Sequence, residues 1–247
     1  MRHVKMAMGI AAAVCAFGAA SVTAASAHTF KVSKLSGVPI TPATPAPTAG
    51  RGEGESSFKF GGIKIHCGTA KAKGTVSSYE FKEFASEVHY SECFTEVKFG
   101  KEEVAQVKTK IPAVTYVFHA NGFVETGTET EEEEGEVHIS GGEVAVVLTG
   151  LKCVVNWPAQ TVPTKAIKQP EGEFGAASYA NEEVANPKMK LFPSGFQKKV
   201  VVSTELKKME YSVEGGACES FGKTEGHSGL QSGTLTEEVK SGNISYE

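Results

Sequence analysis

The chain has 247 residues, with 25 Lys and Arg against 29 acidic residues, 40% hydrophobic residues and a formal net charge of −4. Every acidic residue is a glutamate, and Arg2 and Arg51 are the only arginines. This composition excludes an Asp-rich calcium loop of the EF-hand type, a Ser-His-Asp triad and, in the body of the chain, bidentate arginine clamps on phosphate or carboxylate.

The first 27 residues read as a secretory signal peptide. Arg2, His3 and Lys5 form a positive n-region, residues 6–20 are an apolar run of mostly small side chains, and Ala25-Ser26-Ala27 supplies small residues ahead of a cut before His28. The apolar run is shorter than the roughly 20 residues of a spanning helix. Cys15 lies in mid-run behind Val14, which does not suit a lipid anchor. Cleavage removes Arg2 and Lys5, leaving 23 basic against 29 acidic residues, a formal −6. That balance disfavours a nucleic-acid partner, since a polyanion calls for a basic footprint. With no later apolar run long enough to cross a bilayer, the mature chain is expected to be secreted or extracellular and to lack a transmembrane segment.

Residues 28–57 include "VPITPATPAPTAGRGEGESS", which lacks hydrophobic periodicity and predicts a flexible Pro/Gly-rich leader. "HTFKVSKL" before it offers at most a short edge strand. Residues 58–247 then predict one all-β domain. Phe58 and Phe60 share one parity and Ile63, Ile65 and Cys67 the other, with Gly61-Gly62 as a β-bulge at the change. Weak helical spacing at Tyr79, Phe81, Phe84 and Val88 is too short to outweigh the flanking strands. Asn121-Gly122 predicts a hairpin, and the seven glutamates of residues 125–136 repel one another into water at a hairpin end. Gly141-Gly142 predicts a further turn, and residues 144–155, apolar on both parities, a central strand. "KKVVVSTELKKMEYSV", "SGTLTEEV" and "GNISYE" complete the series. The expected fold is an antiparallel β-sandwich or barrel-like sandwich.

Four cysteines follow the signal peptide: Cys67, Cys93, Cys153 and Cys218. An even number in an exported chain reads as two disulfides. Three pairings exist, and proximity in sequence favours Cys67–Cys93 with Cys153–Cys218. A zinc site at Cys67/His66 or Cys93/His89 is disfavoured. Strand alternation turns Cys67 inward and His66 outward, and four residues of strand hold His89 about 13 Å from Cys93. "EGHSGL" approaches a hydrolase nucleophile loop around Ser228 but lacks the final glycine of the nucleophile elbow. Trp157 reads as core or rim packing. No catalytic, metal-ligating or cofactor-binding residue is assigned.

The signal peptide, the "IKIHCGTAKAKGTV" and "VHYSECF" segments, the central "VVLTGLKCVV" and the late "GGACESFGKTEGHSG" together resemble secreted, disulfide-linked β-rich proteins common in high-GC Gram-positive bacteria. The resemblance implies export and a disulfide-linked β fold, and no activity. The expected function is a non-catalytic structural or binding module whose partner is a cell-envelope component or glycan. The alternatives are a serine hydrolase using Ser228 or a small-ligand carrier.

Overall fold

The computed structural model of the chain describes residues 29–34, 39–99, 103–120, 124–126, 129–131, 134–148, 150–165, 175–185, 196–221, 226–240 and 242–247. The signal peptide lies outside these residues. In chain order the strands begin with β1 (Phe30–Lys34), β2 (Ala46–Gly52), β3 (Ser56–Phe60), β4 (Ile63–Val76), β5 (Glu80–Phe81) and β6 (Glu83–Phe99). They continue with β7 (Glu103–Lys108), β8 (Val114–His119), β9 (Val124–Thr126), β10 (Glu129–Glu131), β11 (Glu134–Ile139) and β12 (Gly142–Leu148). The last six are β13 (Leu151–Trp157), β14 (Gln160–Lys165), β15 (Gly175–Ala185), β16 (Phe196–Glu214), β17 (Gly226–Val239) and β18 (Gly242–Tyr246). A short 3-10 helix, Gly216–Phe221, separates β16 from β17.

The pairings close a circuit: β16, β15, β14, β11, β8, β6, β4, β2 and β17, with β17 returning to β16. The chain is therefore all-β and barrel-like, the second form of the expected fold. Every pairing in the circuit is antiparallel except β14 with β15, which meet in parallel at Thr164↔Gly175 and Lys165↔Ala176. β2 and β3 share one slot between β4 and β17, the first beside residues 71–76 of β4 and the second beside residues 63–67. β16 is long enough to pair with both β15 and β17 and then, at Ser212–Glu214, with β13.

Alternation explains which way the strands face. In β8 Val114, Tyr116 and Phe118 are buried while Thr115, Val117 and His119 are partly exposed, the period-2 pattern of a half-buried sheet. One aromatic group gathers Phe58, Phe60, Tyr90, Trp157 and Tyr211, with Phe60 and Trp157 stacked at 5.3 Å. Another places Phe30 4.9 Å from Phe84 and 5.1 Å from Tyr179. The interior also holds a hydroxyl pair, Tyr90 Oη and Tyr116 Oη at 2.8 Å. Burial drives both phenols well above their ordinary pKa, so both remain protonated. Tyr116→Phe removes one interior hydrogen bond and is expected to lower stability by about 1 kcal/mol. Equilibrium urea unfolding measures the loss, and an unchanged midpoint would show that the pair adds nothing.

Several expectations are corrected. The leader of residues 28–57 contributes β1, β2 and the first two residues of β3 to the sheets, because Phe30, Val32, Ile40 and Ala46 bury their side chains. Both ends of that first strand are tied down: Thr29 N donates to Glu247 O at 2.8 Å, and β1 pairs with β18 over five residues. Gly61-Gly62 is a two-residue hairpin between β3 and β4 instead of a bulge, closed by the pair Phe60↔Ile63. Gly61 takes φ 59°, the left-handed geometry that such a turn requires at its first central residue. A Cβ on Gly62 would stand 1.8 Å from Phe221 O, so the turn also depends on glycine for close approach.

Residues 144–155 form a hairpin instead of one central strand: β12 and β13 pair from Gly142↔Trp157 to Leu148↔Leu151. β12 ends its sheet path, and Val147 and Leu151 are 53% and 57% exposed. One parity is the packed face, with Val144, Val146, Cys153 and Val155 buried, while the apolar residues on the outer face and at the hairpin end stay exposed. Gly141-Gly142 does not join a pair, because β11 lies between β8 and β14. Asn121-Gly122 falls outside the described residues, and β8 pairs with β6 and β11 while β9 pairs with β10. The weakly helical segment is β5 and the start of β6.

Candidate functional site

Four neighbouring strands carry a line of polar side chains on the outward face. Glu83 on β6 is the direct cross-strand partner of His119 on β8. His138 on β11 pairs with Val117 of β8 on one side and with Thr161 of β14 on the other. Glu136 lies two residues before His138 and so shares its face. The inward face of the same strands carries Tyr116, Phe118, Val137 and Ile139, all buried, and the packing of those residues fixes the backbone that presents the polar row.

The geometry converges on one carboxylate. His138 Nε2 is 3.3 Å and His119 Nε2 3.9 Å from Glu136 Oε1. The ligand atoms of the three residues all lie within 4.8 Å of one another. The rings meet edge to face, with centroids 4.9 Å apart. Each imidazole has a partner at its other nitrogen: His138 Nδ1 is 2.6 Å from Thr161 Oγ1, and His119 Nδ1 is 3.5 Å from Glu83 Oε2. His119 is the more enclosed, with a side chain 19% exposed, and its Nε2 is a buried atom without a hydrogen-bond partner. Two imidazoles and a carboxylate in this arrangement are a donor set for a divalent metal ion. Sequence reading did not bring these residues together. The available signal was the Glu136-x-His138 spacing on a strand, which places both on one face, but nothing local showed that His119 would be the cross-strand neighbour.

The predicted cysteines behave as expected in both position and pairing. Cys67 and Cys93 face each other across β4 and β6 and are bonded, as are Cys153 and Cys218. All four are buried, so no thiolate is available to a metal at either bridge. His66 is a correction. It is 8% exposed instead of pointing into water, because its ring stacks on Phe94 at 5.3 Å and its Nδ1 is paired with Glu55 Oε1. His89 is on the surface with Glu87 at 2.6 Å.

Ser228 is exposed near the start of β17, and its Oγ is 3.3 Å from Tyr211 Oη. His227 points to the other side of the strand, where its Nδ1 is 3.2 Å from Glu210 Oε1. A histidine–glutamate pair is thus present, but Ser228 is paired with a phenol and not with that histidine. Trp157 is buried and donates from Nε1 to Ser140 O at 3.1 Å, a packing role.

An interior cavity among Ser56, Tyr90, Tyr116 and Gln231 measures about 10 Å³, room for about one water molecule. A larger depression of about 640 Å³ lies on the outside, lined by Arg51, Lys71, Lys199, Glu53, Glu182 and Glu238 among others. Among the described residues no helix is long and apolar enough to cross a membrane. Comparison with protein-family models, with curated proteins and with solved structures finds no match to this chain.

Proposed function

We propose that this chain is an exported, non-catalytic structural or binding module of the cell envelope or extracellular space. The observation that carries the reading is the pair of buried disulfides in an all-β body. Such bridges form and persist in oxidising compartments, consistent with the signal-like start of the sequence. The interior cavity among Tyr90, Tyr116 and Gln231 is too small for an organic ligand, and the larger depression lies on the outer face. There the depression around Arg51 and Lys71 alternates cationic donors with carboxylate acceptors; Arg51 and Lys71 are cross-strand partners, and Lys199 Nζ is 2.6 Å from Glu238 Oε2. Interleaved donors and acceptors suit a polyhydroxylated surface such as an envelope glycan.

The test is retention of the purified, oxidised protein on isolated envelope polysaccharide, with a glycan array to define the ligand. Wild-type protein is expected to be retained, and Lys71→Glu, which places a like charge beside the existing glutamates, to lose most of that retention. Flow-through of the wild type as a clean monomer on every envelope fraction would overturn the binding reading.

A further inference from the structure

We propose that His119, Glu136 and His138 form a binding site for a divalent late first-row metal ion, with zinc as the reference ion. Each step of the geometry points there. A tetrahedral zinc ion with bonds of ~2.0 Å holds its ligand atoms about 3.3 Å apart. His138 Nε2 and Glu136 Oε1 already stand at 3.3 Å, and His119 Nε2 is 3.9 Å from the same oxygen. All three ligand atoms lie within 4.8 Å of one another, so closing on the ion takes side-chain shifts of up to about 1.5 Å, on strands whose positions are set by the packed interior.

The outer partners give independent support. A metal-bound histidine commonly donates its other ring N–H to a carboxylate or another oxygen, which fixes the tautomer and aims the free lone pair. His138 Nδ1 is hydrogen-bonded to Thr161 Oγ1, and His119 Nδ1 faces Glu83 Oε2 at 3.5 Å, an ion-pair distance. Both therefore direct Nε2 to the same point. His119 Nε2 is buried and has no hydrogen-bond partner, a costly condition for a polar atom that a metal ion relieves.

The donor set also selects the ion. Two imidazoles and one carboxylate suit Zn²⁺, Cu²⁺ or Ni²⁺. They do not suit Ca²⁺, which takes six to eight oxygens, or Mg²⁺, which prefers an octahedron of oxygen ligands. Glu136 and His138 are partly open to solvent, so the fourth position faces outward and is filled by water or by a donor from a partner. The site is independent of the glycan reading: it involves different strands, and its test does not require an envelope ligand.

The experiment is calorimetric titration of ZnCl₂ into the untagged, chelator-treated protein with both disulfides intact. One ion per chain is expected. His119→Ala and His138→Ala should each weaken binding by at least about tenfold, and Glu83→Gln, which removes only an outer partner, by roughly tenfold. His89→Ala, on the same sheet but away from the cluster, should bind as wild type does. Cu²⁺ provides a second readout, because its electron paramagnetic resonance spectrum should report two nitrogen ligands in the wild type and one in His138→Ala. Should a variant fail to fold, zinc-induced shifts of the His119 and His138 ring resonances in the wild type decide the question. Absence of saturable zinc binding, or binding that persists unchanged in folded His119→Ala and His138→Ala, overturns the site.

Discussion

Replacing Cys153 and Cys218 together by alanine is expected to lower the unfolding free energy by about 4 kcal/mol and to loosen the β12–β13 hairpin ahead of the barrel. The bridge closes a separation of 65 residues, against 26 for Cys67–Cys93. Chain-entropy reasoning gives roughly 4.3 kcal/mol for the longer loop and roughly 3.5 kcal/mol for the shorter. The surrounding structure widens this difference. Cys67 and Cys93 belong to a ladder that pairs β4 with β6 from Ile65↔Thr95 to Gly74↔Ser86, so their strands stay aligned without the bond. Among the described residues β13 by contrast pairs with the body along three positions, Val154↔Glu214, Val155↔Val213 and Asn156↔Ser212, and its other neighbour β12 reaches the body through the single bridge Lys110↔Ala145. Cys153–Cys218 fastens that hairpin to the 3-10 helix after β16.

Hydrogen exchange separates the two bridges. Loss of Cys153–Cys218 should speed exchange in residues 142–157, while loss of Cys67–Cys93 should destabilise the barrel as a unit and leave no preferred region. If the Cys153→Ala/Cys218→Ala protein keeps both its denaturation midpoint and its slow exchange in residues 142–157, the aromatic packing of Trp157 on Phe60 is what holds the hairpin.

The sequence carried the alternation of side chains, and alternation was enough to specify an all-β body and an inward Cys67. It did not specify which strands meet. Asn121-Gly122 and Gly141-Gly142 are local turn signals, but β8 and β11 take partners set by the closed circuit, which no local pattern encodes. The leader departs from its expected linker character for a related reason. Its Pro and Gly content resembles a linker, yet Phe30 and Val32 anchor β1, and β2 fills a barrel slot with only Ala46 and Thr48 turned inward. The His119 cluster was hidden because its members come from β8 and β11 and become neighbours only by register. Glu237 was more accessible: Leu235, Glu237 and Val239 share one parity of β17, so the strand pattern itself points a glutamate inward.

That glutamate sets the pH dependence. Glu237 is fully buried. Its side chain lies over Gly50, its partner on β2, where an added Cβ would stand 2.7 Å from the Glu237 carboxyl carbon. Ala72 of β4 is next along the same row, and Ser86 of β6 donates from Oγ to Glu237 Oε1 at 2.6 Å. Oε2 has no partner. Burial pushes the carboxyl up to about 7, with the Ser86 hydrogen bond opposing and the charge of Glu238 adding to the rise. A carboxyl raised above its ordinary value of 4.5 favours the folded state while it is protonated. Between pH 4.5 and 7 the unfolded chain loses this proton and the folded chain keeps it, so stability falls as pH rises and levels off above pH 7. The shift corresponds to a loss on the order of 3 kcal/mol. Exposed Glu87 and Glu247 shift the other way through their lysine partners Lys73 and Lys31, so the informative quantity is the difference between wild type and Glu237→Gln. The glutamine keeps an acceptor for Ser86 and has no proton to lose. Urea unfolding at pH 5, 6, 7 and 8 should show the variant gaining on the wild type at each step and leading by up to about 3 kcal/mol at pH 8. A constant difference across that range would mean that Glu237 holds its charge in the fold, and the buried-acid account would be wrong.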